Sequence, residues 1–336
     1  MRALCVTESR NLQLRDVPSP STPPPGIRNR QHHRRRHQPR RQNIPKTSRL
    51  SKLDFRYTPR KRLGRFRRRN CTQVGANVPH TYLGRKVAIY RGLQPDAPFL
   101  GLWCQTAQLP YQACLLLPDY VDARDYSGSL VNVVTAYAFL EQAAEEGHRG
   151  VLVTAGGSAT GRALAVLARR RGMPILVIAR SEKAKEGMLR SSVEAEHVLD
   201  SGDPDFMRDL EQTAREIGTT AVFDGVGGAF ISQMIGALPP RSSIFFYGFL
   251  SGAEKVAFHS AIFMMKDLTM RRFSNFDSVA VRNEERRADM LKDLEGCIED
   301  PLFTTCVGRD FELEEFEAAM EYEAAGGRKV VFVLSK

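Results

Sequence analysis

Ala155-Gly156-Gly157-Ser158-Ala159-Thr160-Gly161 follows an apolar run, Gly150-Val151-Leu152-Val153-Thr154, and opens a helical pattern. Ala163, Leu164, Leu167 and Ala168 mark one face of that helix, and Arg162 with Arg169, Arg170 and Arg171 marks the other. Strand, small-residue turn and helix together form the context in which such a stretch seats a dinucleotide. Small residues let the backbone approach a pyrophosphate, and the helix N-terminus adds amide hydrogens and a positive dipole end. As a GxGxxG pattern the match is imperfect, since Ser158 stands at the middle glycine. A tight turn in any α/β domain is the bland alternative. On the first reading, Gly156, Gly157, Ser158, Ala159, Thr160 and Gly161 are the cofactor contacts.

The flanking sequence supports that reading. Gly172 and Pro174 stop the helix, as a C-terminal glycine and a later proline do. Ile175-Leu-Val-Ile-Ala179 is then a continuous apolar run of strand length, which closes a βαβ unit. His197-Val-Leu-Asp200, a helix holding Phe206, Leu210 and Ile217, Thr220-Ala-Val-Phe-Asp224, a second helix, and Ser243-Ile-Phe-Phe-Tyr247 follow. Strands alternating with helices predict an α/β fold with a Rossmann-type, doubly wound parallel sheet.

The end of the second strand bears on cofactor choice. NAD sites carry an acid about 20 positions past the glycines, on the ribose 2′-hydroxyl. Here that place reads Ala179-Arg180-Ser181-Glu182-Lys183, basic and hydroxylic where the acid would sit. A 2′-phosphate suits a guanidinium, a hydroxyl and an ammonium, so Arg180, Ser181 and Lys183 point to NADP(H). The alternatives are a solvated arginine and a serine that caps the next helix. Tyr247 ends a strand, where open α/β sheets place ligands, although packing accounts for it equally well.

Several stretches together resemble the medium-chain dehydrogenase/reductase superfamily, nearest its zinc-free quinone oxidoreductase and enoyl reductase branches. They are Met1-Arg-Ala-Leu-Cys5 through Leu12-Gln-Leu-Arg-Asp-Val-Pro18, Val131-Asn-Val-Val-Thr135-Ala-Tyr137, the 155–161 turn, and Phe223-Asp224-x-Val226-Gly227-Gly228. Tyr247-Gly248, Lys266-Asp-Leu-Thr269-x-Arg-x-Phe273 and Gly327-Arg-Lys329-Val-Val-Phe332 complete the set. The resemblance covers residues 72–336, together with 1–25. It implies a GroES-like β-barrel catalytic domain built from both chain ends, a Rossmann domain between them, and a substrate cleft where they meet. The expected division is 1–26 and 72–122 for the barrel, 123–260 for the Rossmann domain, and 261–336 for the return to the barrel. The resemblance adds Thr135, Gly248 and Lys329 as cofactor contacts, beside Asn132 at the cofactor entrance. It leaves Tyr137 as either a proton donor or a buried aromatic with a satisfied hydroxyl. It implies NADPH-dependent reduction of a small-molecule quinone, α,β-unsaturated carbonyl compound or enoyl thioester. It also implies that 247–259 lies where relatives pair edge strands into a homodimer, with core packing of Phe245, Phe246 and Phe249 as the alternative.

Residues 27–71 fit neither that family nor an ordinary fold. The segment holds 18 Lys and Arg, three His and a single acid, Asp54. The whole chain carries +11 and this segment +17, which leaves −6 for the rest. Such a composition cannot bury a core and reads as disordered. Taken at face value, Arg34, Arg35 and Arg36 or Arg67, Arg68 and Arg69 would bind nucleic acid through backbone electrostatics.

A shift of reading frame accounts for the segment better, and nucleic acid is then not an expected partner. Residues 31–46, written in permitted codons and read one base later, give NIIDVGINPVDKTSR. DVGINPVD is a barrel motif of the same superfamily, at its expected distance from the start. Residues 60–71 treated alike give GSDLGGFAVVI, which resembles the family's next motif and runs into Thr72-Gln-Val-Gly75. The barrel is therefore expected to be incomplete, and no residue from Ile27 to Cys71 inherits a family role.

No metal site is expected. The six cysteines form no CxxC pair, and no His lies at ligand spacing from one. Cys104 and Cys114 read as buried thiols. Scattered cysteines, no apolar run long enough to span a bilayer, and no signal-peptide pattern at Met1-Arg-Ala-Leu point to the cytosol.

The frame reading is tested on the transcript. Sequencing should show a one-base offset, or a misplaced splice junction, near codon 26 and its compensation near codon 71. Restoring the frame should yield a protein with quinone or enone reductase activity. A transcript that confirms the written frame, in a chain that binds DNA in a salt-dependent way, would overturn it.

Overall fold

The apolar runs of the cofactor half become the strands of one parallel sheet. A computed structural model of the chain describes residues 2–6, 12–16, 63–64, 71–75, 78–90, 104, 106–107, 109–128, 130–190, 197–252, 254–322 and 328–333. The cofactor half runs α1 (Leu130–Glu145), β6 (Gly150–Val153), α2 (Ala159–Arg170), β7 (Ile175–Ala179), α3 (Glu182–Arg190), β8 (His197–Asp200), α4 (Phe206–Glu216), β9 (Thr219–Asp224), α5 (Gly228–Met234), β10 (Ser243–Phe246), α6 (Ser260–Met265), β11 (Thr269–Arg272), α7 (Val279–Arg282) and α8 (Glu284–Glu295). The six strands pair in the order β8-β7-β6-β9-β10-β11, every neighbour parallel. The order reverses between β6 and β9, and that switch point is where such sheets bind ligands.

Side-chain alternation explains why the sheet is covered on both faces. Val151, Val153, Ile175, Val177, Ala221 and Phe223 point into one apolar layer, with α1, α2 and α8. Leu152, Leu176, Ile178 and Val222 point into the other, with α4 and α5. Strands buried on both faces read as unbroken apolar runs, as β7 does. Phe139 of α1 stands at the centre of the first layer. Its ring stacks on Phe223 at 4.1 Å and meets Phe245 and Phe273 edge-on at 5.3 and 5.7 Å.

The rest of the chain supplies short strands: β1 (Arg2–Val6), β2 (Leu12–Asp16), β3 (Leu63–Gly64), β4 (Val87–Ile89), β5 (Cys114–Leu116), β12 (Val307–Glu312) and β13 (Lys329–Val333), with α9 (Phe316–Glu321). β1 and β2 form the expected opening hairpin. β4 pairs antiparallel with β5. β13 lies between β12 and β3, parallel to both. Phe311, Leu313, Val330 and Phe332 pack with Leu14, Ile89 and Leu109, so both chain ends build one lobe. Arg124, just before α1, makes a forked ion pair with Asp310 of β12 at 2.9–3.1 Å. Among the described residues these strands form separate small sheets and no closed barrel. Within 27–71 only Leu63, Gly64 and Cys71 are described, and the expectation of a disordered segment otherwise lies outside the described residues.

Two boundaries differ from the sequence reading. The Rossmann sheet does not end at residue 260, because β11 is its sixth strand and Met290, Leu291 and Leu294 of α8 join its core. β11 reads Thr-Met-Arg-Arg and is largely exposed, so no apolar run announces it. Second, the described part of 247–259 forms no strand; the outer strand on that side is β11. Phe245 is fully buried, whereas Phe249 is more than half exposed.

Truncating Phe139 to Ala removes the ring that joins α1 to three others. Such a change costs about 3–5 kcal/mol. Chemical denaturation should show that loss, and an unchanged midpoint would mean that Phe139 is not the centre of this layer.

Candidate functional site

The turn between β6 and α2 is built by exclusion. A Cβ on Gly156 would lie 2.3 Å from Val177 Cγ1 and 2.8 Å from the Ile178 carbonyl oxygen. One on Gly161 would lie 2.4 Å from the Ala155 oxygen and 2.5 Å from the Gly156 oxygen. Neither position admits a side chain. Gly157, in contrast, is exposed and faces nothing within 4 Å. The turn thus lies tightly on the sheet while its outer side stays open. The Gly156 N–H donates to the Ile178 oxygen at 3.1 Å, which ties the turn to β7.

Ser158 is the N-cap of α2, and its Oγ accepts from the Gly161 N–H at 3.0 Å. That is the work of a hydroxyl at a helix start, and it explains a serine at the middle glycine position. The first-turn N–H groups of Ala159 and Thr160 have no acceptor within the helix. They sit at the positive end of α2, beside the switch point, over an open surface. This cradle fits a dinucleotide pyrophosphate.

Residues from three elements meet beside it. Thr160 Oγ1 donates to Asn132 Oδ1 at 3.1 Å, and Asn132 Nδ2 donates to the Gly128 oxygen at 2.8 Å. Lys329 Nζ donates to the same oxygen at 2.6 Å, bringing β13 to the start of α1. Thr135 stands one turn further along α1. Its hydroxyl donates to the Val131 oxygen and accepts from Asn275 Nδ2, both at 2.6 Å.

Tyr137 is not brought to the cradle. Its hydroxyl donates to Asp293 Oδ2 of α8 at 2.7 Å, and the Arg171 guanidinium covers its ring at 4.2 Å. Arg171 caps the far end of α2, ten residues past Gly161, or about 15 Å along the helix. Burial and the Asp293 carboxylate raise the Tyr137 pKa, so the phenol keeps its proton.

At the end of β7, Arg180 and Lys183 are exposed, and neither pairs with a described carboxylate. Ser181 Oγ accepts from the Ala184 N–H at 3.3 Å and so caps α3. Tyr247 stacks on Phe223 at 3.9 Å, in the space that a Cβ on Gly225 would need. A Cβ on Gly248 would lie 2.9 Å from the Gly225 oxygen, so the ends of β9 and β10 also lie close.

One group that sequence reasoning missed is central. Asp224, fully buried at the end of β9, accepts from the Thr154 hydroxyl at 2.6 Å. The pair is separated by 70 residues; the signal in the sequence is an acid ending a strand, within the Phe223-Asp224-x-Val226-Gly227-Gly228 stretch. Among the described residues no three His, Cys, Asp or Glu side chains converge on a point. Cys104 and Cys114 are buried.

Comparison with known proteins agrees with this geometry. Residues 159–295 match the family model described as zinc-binding dehydrogenase. The fold is similar to a candidate NADPH:quinone reductase from Mesorhizobium loti, at 24% identity and TM-score 0.60, covering 77% of this chain and 74% of that one. It is also similar to Escherichia coli quinone oxidoreductase complexed with NADPH (17% identity, TM-score 0.58, 74% of each chain). A mutant enoyl thioester reductase from Candida tropicalis is a third (16%, TM-score 0.58, 73% of each chain). No curated protein matches the chain. The chain thus has the fold of these reductases, and its residues 159–295 are similar to zinc-binding dehydrogenases.

The turn can be tested glycine by glycine. Gly161→Val should abolish dinucleotide binding, because its side chain has no space in the turn. Ser158→Gly should bind normally, losing only a few tenths of a kcal/mol of capping. Normal NADPH binding by Gly161→Val in a titration would show that this turn is not the phosphate site.

Proposed function

We propose that the chain is an NADPH-dependent oxidoreductase acting on a quinone or an α,β-unsaturated carbonyl compound, with enoyl thioesters as the narrower case. The observation that carries this reading is the open glycine cradle at the switch point, followed by Arg180 and Lys183 where an NAD site carries an acid. A bound nicotinamide would supply the hydride chemistry. The chain's own residues bind and orient. The first turn of α2 takes the pyrophosphate, and Arg180, Ser181 and Lys183 take the 2′-phosphate. Thr135, Tyr247, Gly248 and Lys329 are further cofactor contacts on this reading. No proton donor is assigned, since the Tyr137 hydroxyl is engaged by Asp293. Among the described residues no helix is long and apolar enough to cross a membrane.

A second reading is a protein that binds NADPH without turning it over. It is favoured by one observation, the 18 cations and single acid of 27–71, in a stretch where the family builds part of its cleft.

Arg180→Ala separates NADP(H) from NAD(H). Loss of a charge-assisted contact should weaken NADPH binding about tenfold or more and leave NADH binding nearly unchanged. Equal losses for both would show that Arg180 only supports the local fold. Oxidation of NADPH in the presence of a quinone or enone would distinguish the enzyme from the silent binder.

A further inference from the structure

Two loops flank the switch point: 154–161, which leads from β6 into α2, and 224–228, which leads from β9 into α5. Thr154 directly follows the first strand and is buried; Asp224 ends the second and is fully buried. Asp224 Oδ1 accepts from the Thr154 hydroxyl at 2.6 Å and from the Val226 N–H at 3.1 Å. Its Oδ2 accepts from the Gly227 N–H at 2.9 Å. Thr154 Oγ1 in turn accepts from the Gly225 N–H at 3.1 Å. The threonine hydroxyl therefore joins both loops, as a donor to the carboxylate and an acceptor from the chain beyond it.

These partners are all neutral. Burial raises the Asp224 pKa, and its three hydrogen bonds act against that rise. A carboxylate so placed costs desolvation that an apolar side chain would not. What it secures is backbone placement. Gly227 and Gly228 have φ of +74° and +61°, a conformation with little local preference of its own, and the carboxylate holds the Gly227 N–H in it. The Thr154 bond ties that loop to the residue before Ala155, where the cradle begins.

We propose that Asp224, acting through the Thr154 hydroxyl, is a positioning residue that sets the spacing of the 154–161 and 224–228 loops for NADPH. This rests on the cofactor reading above. Neither group need touch the cofactor; each acts through the backbone it holds.

The test compares Thr154→Val, which keeps the shape and deletes the hydroxyl, with Thr154→Ser, which keeps the hydroxyl. NADPH affinity is measured by titration and thermal melting is followed alongside. Losing a hydrogen bond to a charged group should raise the NADPH Kd of Thr154→Val about tenfold, with Thr154→Ser staying close to the parent chain. If Thr154→Val does not fold, Asp224→Asn replaces it, since the amide would set a donor against one of the two loop N–H groups; a Kd raised to the same extent is expected. Unchanged affinity in the folded variant, or a loss in Thr154→Ser equal to that in Thr154→Val, would overturn the proposal alone. A parent chain that binds no NADPH would overturn the cofactor reading and this proposal with it.

Discussion

The crevice depends on how closely the β6–α2 turn lies on β7 and on itself. Gly156 and Gly161 have less than 3 Å of room for a Cβ, so the backbone itself forms the wall between sheet and helix. Any side chain there would lift α2 off the sheet and move the unpaired N–H groups of its first turn. The rest of the helix follows from that placement. Ala163 and Ala168 are fully buried and small, which lets α1 pack against α2 on the same face of the sheet. Through α1, the Phe139 ring reaches Phe223, Phe245 and Phe273, and so ties the helix to β9, β10 and the end of β11.

Fold was legible where a strand is buried on both faces and obscure where it is an edge. β7 matches the apolar run 175–179 residue for residue. α2 ends before Gly172, which takes a φ of +63° as a C-terminal glycine does. β11 escaped notice because an edge strand has one open side and can carry arginines. Arg271 bonds Glu146 at the end of α1 and covers the Phe245 ring, so even its charge is spent on tertiary contacts. α8 was missed for a related reason: only Met290, Leu291 and Leu294 of its twelve residues are buried.

The candidate site was legible as far as local geometry makes it so. A glycine turn after a strand carries its meaning in consecutive residues, and so does a serine at a helix start. Ser158 and Ser181 both turn out to cap, and for Ser158 that explains the departure from the common motif. Tyr137 shows the opposite limit. Its position in the stretch 131–137 suggested the cofactor entrance, yet helical periodicity turns its hydroxyl toward α8 while Thr135 faces Asn275. The Thr154–Asp224 bond crosses from β6 to β9, and no spacing along the chain could reveal it.

The distribution of the core bears on what a replaced barrel segment would cost. Among the described residues, the two apolar layers that cover the Rossmann sheet take their buried residues from Ala88 to Phe303. Hydrophobic burial is the main drive for folding, so the cofactor half carries most of its own stabilisation. The smaller cluster around Phe311 and Phe332 is where the two chain ends meet, and there Leu14 and Ile89 already stand in for part of a barrel wall. A frame error confined to 27–71 would therefore fall on the lobe to which β3 belongs, and would spare the 155–161 turn. Binding and turnover become separable in such a chain. The charge division has the same shape: +17 on the segment and −6 on the rest. Contacts of a cationic segment with polyanions weaken steeply with salt, whereas a pyrophosphate seated on directed N–H groups is held also by hydrogen bonds. Anion binding at the 155–161 turn and at a cationic segment would thus answer to different physics.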